Sequence, residues 1–277
     1  REGITVVRQI GNEKAKVDVT IEKKLNNQRE LITTDILVIG GGPAGMCAAV
    51  EAAEAGAQVI LLERSAKLGG QLVKQTHKFF GSEKQDAGTR GIYIADKIQE
   101  QIDALSNIQV WTESIAAGFY KNGIVMVDKN GVIEGIQPKA IIIATGAFEK
   151  NLVFPNNDLP GIYGAGAVQT LMNMEGVVPA KNVLMVGAGN IGLIVSYQLM
   201  QAGVNVAAVI EAAPNIGGYL VHANKLRRAG VPILTRHTIK CAYGKDRVEG
   251  AIIYELDEHF QPIPGTEQDV KCDVICM

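Results

Sequence analysis

The sequence predicts an α/β protein built from two successive three-layer units, and three observations predict it. Gly40-Gly41-Gly42-Pro43-Ala44-Gly45 and Gly187-Ala188-Gly189-Asn190-Ile191-Gly192 both read G-x-G-x-x-G. Each stands between an apolar run and a helix-like stretch, followed by a second apolar run ending on an acid, Glu63 in the first and Glu211 in the second. Aromatic residues make up only 5% of the chain while Gly, Ala, Val and Ile abound. That composition suits parallel strands covered by closely packed helices.

In such a unit the glycines have separate duties. The first makes the tight turn out of the strand, the second lets backbone approach a pyrophosphate, and the third lets helix pack on strand. The helix N-terminus offers unpaired N–H groups and a partial positive charge to phosphate oxygens. The acid closing the second strand accepts hydrogen bonds from ribose hydroxyls. A glycine pattern alone is weak evidence; here strand, helix and acid stand in place at both copies, which is the context the motif requires. Two Rossmann-like units therefore predict two bound dinucleotides.

The elements follow in order. Residues 1–33 read as a small N-terminal β extension or the tail of an upstream domain. Val17, Val19 and Ile21 alternate with Lys16, Asp18, Thr20 and Glu22, the period of an exposed strand, and Gly11-Asn12 turns the chain back to residues 4–10. The first domain, 34–154, opens with the strand 35–39, its fingerprint and its helix. Leu68-Gly69-Gly70-Gln71 is a tight loop, and a polar stretch, 74–90, holds His77, Lys78 and Phe79. Residues 93–105 are helical, with Ile94, Ile98, Ile102 and Leu105 on one face. Short strands at 108–111, 116–120 and 124–127 precede the apolar strand that runs into Ala144-Thr145-Gly146. Phe154-Pro155-Asn156-Asn157-Asp158-Leu159-Pro160-Gly161 reads as a linker.

The second domain, 155–250, has a helix at 165–174, its own fingerprint, and Asn215-Ile216-Gly217-Gly218 repeating the paired glycines. Residues 220–229 are helical, and 233–234, 239–243 and 248–254 are strands. Residues 251–277 are expected to return towards the first domain, because Asp273-Val274-Ile275-Cys276-Met277 resembles 141–146 without its glycine. The second domain is then an insertion in the first. The strand at 274–277 would leave unpaired backbone for further chain or a partner to cover.

Composition excludes several functions. A net charge of −2 over 277 residues gives no basic surface for nucleic acid. No apolar run is long enough to span a bilayer. The four cysteines, Cys47, Cys241, Cys272 and Cys276, form no C-x-x-C and no metal-binding set. Reduced thiols in a cytoplasmic protein are expected. Cys47 is expected to face the sheet as a small hydrophobe.

Together these residues resemble the two-dinucleotide-binding-domain flavoproteins, the pyridine nucleotide-disulfide oxidoreductase-like group, from about residue 34 to the end. The resemblance implies FAD in the first domain and NAD(P) in the second. On the matching positions Gly40, Gly42, Pro43, Ala44 and Gly45 would take the FAD pyrophosphate, and Glu63, with Arg64 beside it, the adenosine ribose. Gly70 and Gln71 would lie along the cofactor, and Thr145 and Gly146 where the chain passes it again. Gly187, Gly189, Asn190, Ile191 and Gly192 would hold the nicotinamide pyrophosphate, and Glu211 its ribose. Ala212-Ala213-Pro214 follows Glu211 with no arginine nearby, so a 2′-phosphate would meet a carboxylate without counter-charge, and NAD is expected over NADP.

The redox cysteine pair of the disulfide reductases is absent. Residues 112–120 and 156–168 are instead similar to α subunits of sarcosine, proline, hydroxyproline and opine dehydrogenases or oxidases. That similarity implies an FAD-dependent oxidoreductase exchanging hydride or electrons between NAD(H) and flavin. It would be one subunit of a hetero-oligomeric amine or amino-acid dehydrogenase acting on a small molecule. Two other readings stand: a flavin electron-transfer subunit with iron–sulfur partners, and a non-catalytic nucleotide-binding regulatory subunit.

No catalytic acid, base or nucleophile emerges. His77 near a flavin would suit proton handling, but a surface loop position is the plainer reading. His222 and His237 are expected to pack or face solvent, and Lys225, Arg227 and Arg228 to form a solvated face. Gly161, Gly164 and Gly166 follow no strand and are read as close packing rather than a third phosphate loop.

Overall fold

A computed structural model describes residues 4–5, 16–17, 30–78, 80–82 and 86–277. The chain divides into two compact units, residues 1–147 and 148–277. In the N-terminal extension β1 (Ile4–Thr5) pairs antiparallel with β2 (Lys16–Val17). The expected turn at Gly11-Asn12 and the alternation at Val19 and Ile21 lie outside the described residues.

The first unit runs β3 (Ile32–Ile39), α1 (Pro43–Glu54), β4 (Val59–Leu62), a 3₁₀ turn at Gly70–Lys74, α2 (Gly91–Asp103) and β5 (Ile108–Trp111). It continues through β6 (Ser114–Phe119), β7 (Val125–Lys129) and β8 (Val132–Ile143). The sheet order is β5-β4-β3-β8-β7-β6, with β5, β4, β3 and β8 parallel and β8, β7 and β6 an antiparallel meander. The chain leaves β3 to one side for β4 and β5, and reaches β8 on the other. The carboxyl ends of β3 and β8 therefore form the switch point where such sheets open a crevice.

Every residue of β4 is buried, because alternate side chains enter two different cores. Val59 and Leu61 join Met46, Ala49, Val50 and Ala53 of α1. Ile60 and Leu62 join Trp111 and the meander residues Val125, Val127 and Ile136. Helix, parallel sheet and meander are the three layers. The buried stripe of α1 at positions 46, 49, 50 and 53 follows the helical period. Cys47 falls outside that stripe and is exposed, so the expectation that it faces the sheet is wrong.

The second unit contains β9 (Ile162–Tyr163), α3 (Ala165–Asn173), β10 (Asn182–Val186), α4 (Asn190–Gln201), β11 (Asn205–Glu211), α5 (Leu220–Arg228) and β12 (Ile233–Thr235). β13 (His237–Tyr243), β14 (Gly250–Glu255), β15 (Gln268–Lys271) and β16 (Val274–Cys276) complete it. A fully parallel sheet runs β12-β11-β10-β16-β9, and β13-β14-β15 form an antiparallel sheet. Leu193, Leu199, Ala223 and Leu226 from α4 and α5 pack on one face of the parallel sheet. Ile239, Ala251 and Ile253 of the antiparallel sheet pack on the other face, with Leu184, Ile210 and Ile275.

Two boundaries differ from expectation. Residues 251–277 do not return to the first unit: they supply a strand to the middle of the second unit's sheet. Val274, Ile275 and Cys276 are fully buried, and β16 is paired on both sides, with β10 and with β9. Its backbone is not the unpaired edge expected. The carboxylate of Asp273 accepts the N–H groups of Lys181 and Asn182 at 2.9 and 2.8 Å, pinning β16 to the start of β10. The first unit ends at Ala147 rather than at residue 154, because Phe154 is buried among second-unit residues. Within residues 1–277 each unit is thus a continuous stretch of chain.

Ile275→Ala tests the placement of β16. It should destabilise the second unit by about 2–5 kcal/mol, the usual range for truncating a fully buried aliphatic side chain. Hydrogen exchange should then quicken in β10 and β9; quickening confined to β3 and β8 would contradict this topology.

Candidate dinucleotide site

β3 ends at Ile39, and Gly40 leaves it at a φ of +112°, in the region that favours glycine. A Cβ on Gly40 would stand 2.4 Å from the Ala144 carbonyl oxygen, just beyond β8. A Cβ on Gly45 would stand 1.8 Å from the Gly40 carbonyl oxygen. These two glycines let strand, turn and helix touch through backbone alone. Gly42 differs: among the described residues beyond its chain neighbours, the only atom within 4 Å of its Cβ direction is Gly70 Cα, at 3.9 Å. The middle glycine opens outward, where backbone can meet a ligand.

The second fingerprint repeats the turn and the third-glycine contact, although a Cβ on Gly187 would meet no described atom within 4 Å. Gly187 has a φ of +105°, a Cβ on Gly192 would stand 2.1 Å from the Gly187 carbonyl oxygen, and a Cβ on Gly189 would meet no atom of the described residues within 4 Å. Both helices start without a side-chain cap and without an acid in the first turn. Neither helix therefore places a carboxylate of its own first turn against its N-terminal N–H groups and dipole.

The acids add a tie that sequence reasoning did not foresee. Glu63, only 7% exposed, accepts the Gly41 N–H at 2.8 Å with one carboxylate oxygen and the Ser65 N–H at 2.7 Å with the other. Half-buried Glu211 accepts the Ala188 N–H at 2.8 Å and the Ala213 N–H at 3.0 Å. Each acid holds its glycine turn, and a carboxylate oxygen that accepts one N–H keeps a lone pair for another donor. The following loops fold back on the turns, Gly69 N–H donating to the Gly41 oxygen at 2.8 Å and Gly218 N–H to the Ala188 oxygen at 2.9 Å.

The other expected residues take definite places. Pro43 and Ala44 are exposed in the first turn of α1, and Arg64 is exposed directly after Glu63. Gly70 lies opposite Gly42, and Gln71 is exposed in the 3₁₀ turn. Thr145 and Gly146 are exposed beyond β8, following Ala144, whose N–H donates to the Ile39 oxygen at 2.8 Å. Ile191 is 59% exposed at the start of α4, and Asn190 beside it accepts the Tyr219 N–H at 2.8 Å. The structure also brings Arg236 to this end of the site, its N–H donating to the Ala213 oxygen at 3.0 Å. The linear sequence shows no arginine near Glu211; pairing of β11 with β12 supplies one.

Several side groups resolve into packing. His77 stacks on Phe80 with ring centroids 4.6 Å apart. Glu149 fills the start of α3: its carboxylate accepts the Gly166 N–H at 2.6 Å, and a Cβ on Gly164 would lie 2.2 Å from it. That agrees with close packing rather than a third phosphate loop. Cys272 and Cys276 are buried, and burial pushes the Cys272 thiol up to about 12 and the Cys276 thiol higher than usual, so both are held as inert thiols. Among the described residues no group of three His, Cys, Asp or Glu could hold a metal, and no helix is long and apolar enough to cross a membrane.

The cradle geometry separates the glycines by the cost of adding a methyl group. Gly45→Ala and Gly192→Ala drive it into backbone and should each cost about 1–3 kcal/mol or more in urea unfolding. Gly42→Ala and Gly189→Ala meet open space and should cost about 1 kcal/mol or less; equal losses at all four would contradict this geometry. His222 is buried, and burial, with Lys225 adding to it, holds its imidazole below the ordinary value near 6.5. The unfolded chain then takes up the proton first, so the contribution of the neutral ring is complete above about pH 6.5 and is lost as pH falls below it. His222→Gln should flatten the loss of stability between about pH 7.5 and about pH 5.5, measured by urea midpoints; an unchanged slope would show that other groups set it.

The model of one protein family, described as pyridine nucleotide-disulphide oxidoreductase, matches residues 34–277. An opine oxidase subunit of Agrobacterium tumefaciens is 32% identical over 226 residues, which are 76% of this chain and 45% of that protein. The alpha subunit of sarcosine oxidase from Rhizobium meliloti is 30% identical over 217 residues, covering 71% of this chain and 21% of that one. The chain thus spans less than half the length of these relatives. Among solved structures, thioredoxin reductase of T. acidophilum matches 88% of this chain and 76% of its own with a TM-score of 0.69 at 20% identity, a likeness of fold. With both glycine cradles inside the matched range, the chain belongs to the pyridine nucleotide-disulphide oxidoreductase family.

Proposed function

We propose that this chain is the dinucleotide-binding part of an FAD-dependent oxidoreductase, with FAD on the first unit and NAD(H) on the second. In this reading it works as one subunit of a cytoplasmic, multi-subunit amine or amino-acid dehydrogenase or oxidase. The observation that carries it is the pair of outward-facing glycines, Gly42 and Gly189, each at an uncapped helix start and each tied to a carboxylate through the residue before it. The relatives named as subunits of opine and sarcosine oxidases support the assembly.

Flavin and nicotinamide, when bound, supply hydride exchange; the protein supplies binding, orientation and electrostatics. At the first unit Gly42, Ala44 and Gly45 would offer backbone N–H groups to the pyrophosphate, and Glu63 would accept from the adenosine ribose. Pro43 has no N–H, and its fixed φ starts α1 without removing a useful donor. Arg64, Gln71, Thr145 and Gly146 are exposed around this cradle and would line the bound cofactor. At the second unit Gly189, Ile191 and Gly192 would meet the pyrophosphate and Glu211 the nicotinamide-nucleotide ribose. Glu211 would repel a 2′-phosphate, which favours NAD over NADP. No side chain of the described residues is assigned as catalytic acid or base.

Gly42→Val tests the first assignment, since its backbone conformation is extended and the added carbon meets open space. The variant should fold and be colourless where the parent chain is yellow with FAD; stoichiometric FAD in the variant would refute the assignment. Mixed anaerobically with the parent chain, NADH should bleach the flavin much faster than NADPH at equal low concentration. A site built around a hydroxyl discriminates strongly, because mismatched groups are left buried and unpaired. Equal rates would overturn the Glu211 argument, and loss of NADPH reduction in Arg236→Ala would then assign the 2′-phosphate to Arg236.

A further inference from the structure

We propose that the outer face of the antiparallel meander β6-β7-β8 is the seat of the chain's own N-terminal segment, docked through Ile4 and Val17. The inner face of the meander holds Val125, Val127 and Ile136 in the core. Alternate side chains of a strand point the opposite way, so the residues between these form the outer face. Register sets Ile115, Asp128 and Ile133 in one outer row and Gly118, Met126 and Gly135 in the next. Ile115 and Ile133 are 48% and 43% exposed. A Cβ on Gly135 would stand 2.6 Å from Leu31 Cδ2, and one on Gly118 3.3 Å from the Tyr120 ring. Leu31 and Tyr120 thus lie over the two glycines, on either side of Met126, and both are exposed. The result is a contiguous apolar surface that no described residue covers.

Leu31 identifies the occupant. It stands directly before β3, so the chain that enters β3 arrives on this face. Further upstream is the β1-β2 pair, in which Ile4 is the partner of Val17 and Thr5 of Lys16. Ile4 and Val17 therefore share one side of the pair, and Thr5 and Lys16 the other. In the sequence Val19 and Ile21 continue the apolar alternation. Two strands alone are marginal in water and need an apolar surface to rest on. The chain from Val17 to Leu31 can span about 45 Å when extended. The outer strands of the meander are only about 10 Å apart, so the pair reaches any part of the face. Laid with Ile4 and Val17 on Ile115 and Ile133, it leaves Thr5 and Lys16 in water and covers both apolar surfaces at once.

Hydrogen exchange on the full chain tests the docking. In the parent chain the β1-β2 pair should be protected. Ile133→Asp places a charge on the outer face without entering the core, and exchange in β1-β2 should quicken by about tenfold or more. The amides of β3 and β7 should keep their parent rates. Ile115→Asp, from another strand, should act in the same way, so that loss of the meander in one variant leaves the other to decide. Parent-like exchange of β1-β2 in a variant that keeps its meander would overturn the proposal, as would an unprotected pair in the parent chain. Protection that appears only as the chain dimerises in sedimentation would assign the face to a second copy, and would overturn it as well.

Discussion

The carbonyl oxygen of Gly40 lies where a side chain on Gly45 would have to be, and the same contact recurs between Gly187 and Gly192. This approach of helix start to strand end is the constraint on which the rest depends. It lets α1 and α4 begin within one tight turn of the sheet, with open space among the described residues at the middle glycines, Gly42 and Gly189. It also fixes the direction of each helix across its sheet, and so decides which stripe of α1 meets Val59 and Leu61. With any larger residue at the third glycine, the helix would have to withdraw, and the turn would lose its shape before any ligand arrived.

The acids complete that shape from the other strand. Glu63 follows β4 and Glu211 closes β11, and each commits one carboxylate oxygen to the first turn of its fingerprint. The other oxygen takes an N–H two residues further on, so the chain leaving the second strand is bent back over the glycines. Each carboxylate thus ties the glycine turn and the loop after its own strand together. The units differ most in what covers the turn: Gly70 stands against Gly42 in the first, while Asn190 and Tyr219 join across the second.

Both fingerprints, their helices and their acids were legible in the sequence, because strand, glycine spacing and closing acid are local and repeat at fixed intervals. Composition pointed to parallel strands covered by helices, which holds for one face of each sheet; antiparallel strands cover the other. What lay beyond the sequence depended on long-range pairing. Val274-Ile275-Cys276 is too short an apolar run to say which sheet it enters, and only its partners in β9 and β10 place it in the second unit. Arg236 reaches the Glu211 end through the pairing of β12 with β11, which no motif encodes. Cys47 was misplaced because the buried stripe of a short, Ala-rich helix has several phases of similar hydrophobicity. Tyr219 was hidden for a different reason: its contribution is a backbone N–H, which almost any residue type would supply.

Two separate cradles imply two independent binding events, and equilibrium dialysis measures them directly. The chain should bind one FAD and one NADH together, neither displacing the other, with the NADH equivalent lost in Gly189→Val and the FAD equivalent retained. Mutual displacement of the two nucleotides, or no binding of either at about millimolar concentration, which corresponds to only about 4 kcal/mol of binding free energy, would contradict the account.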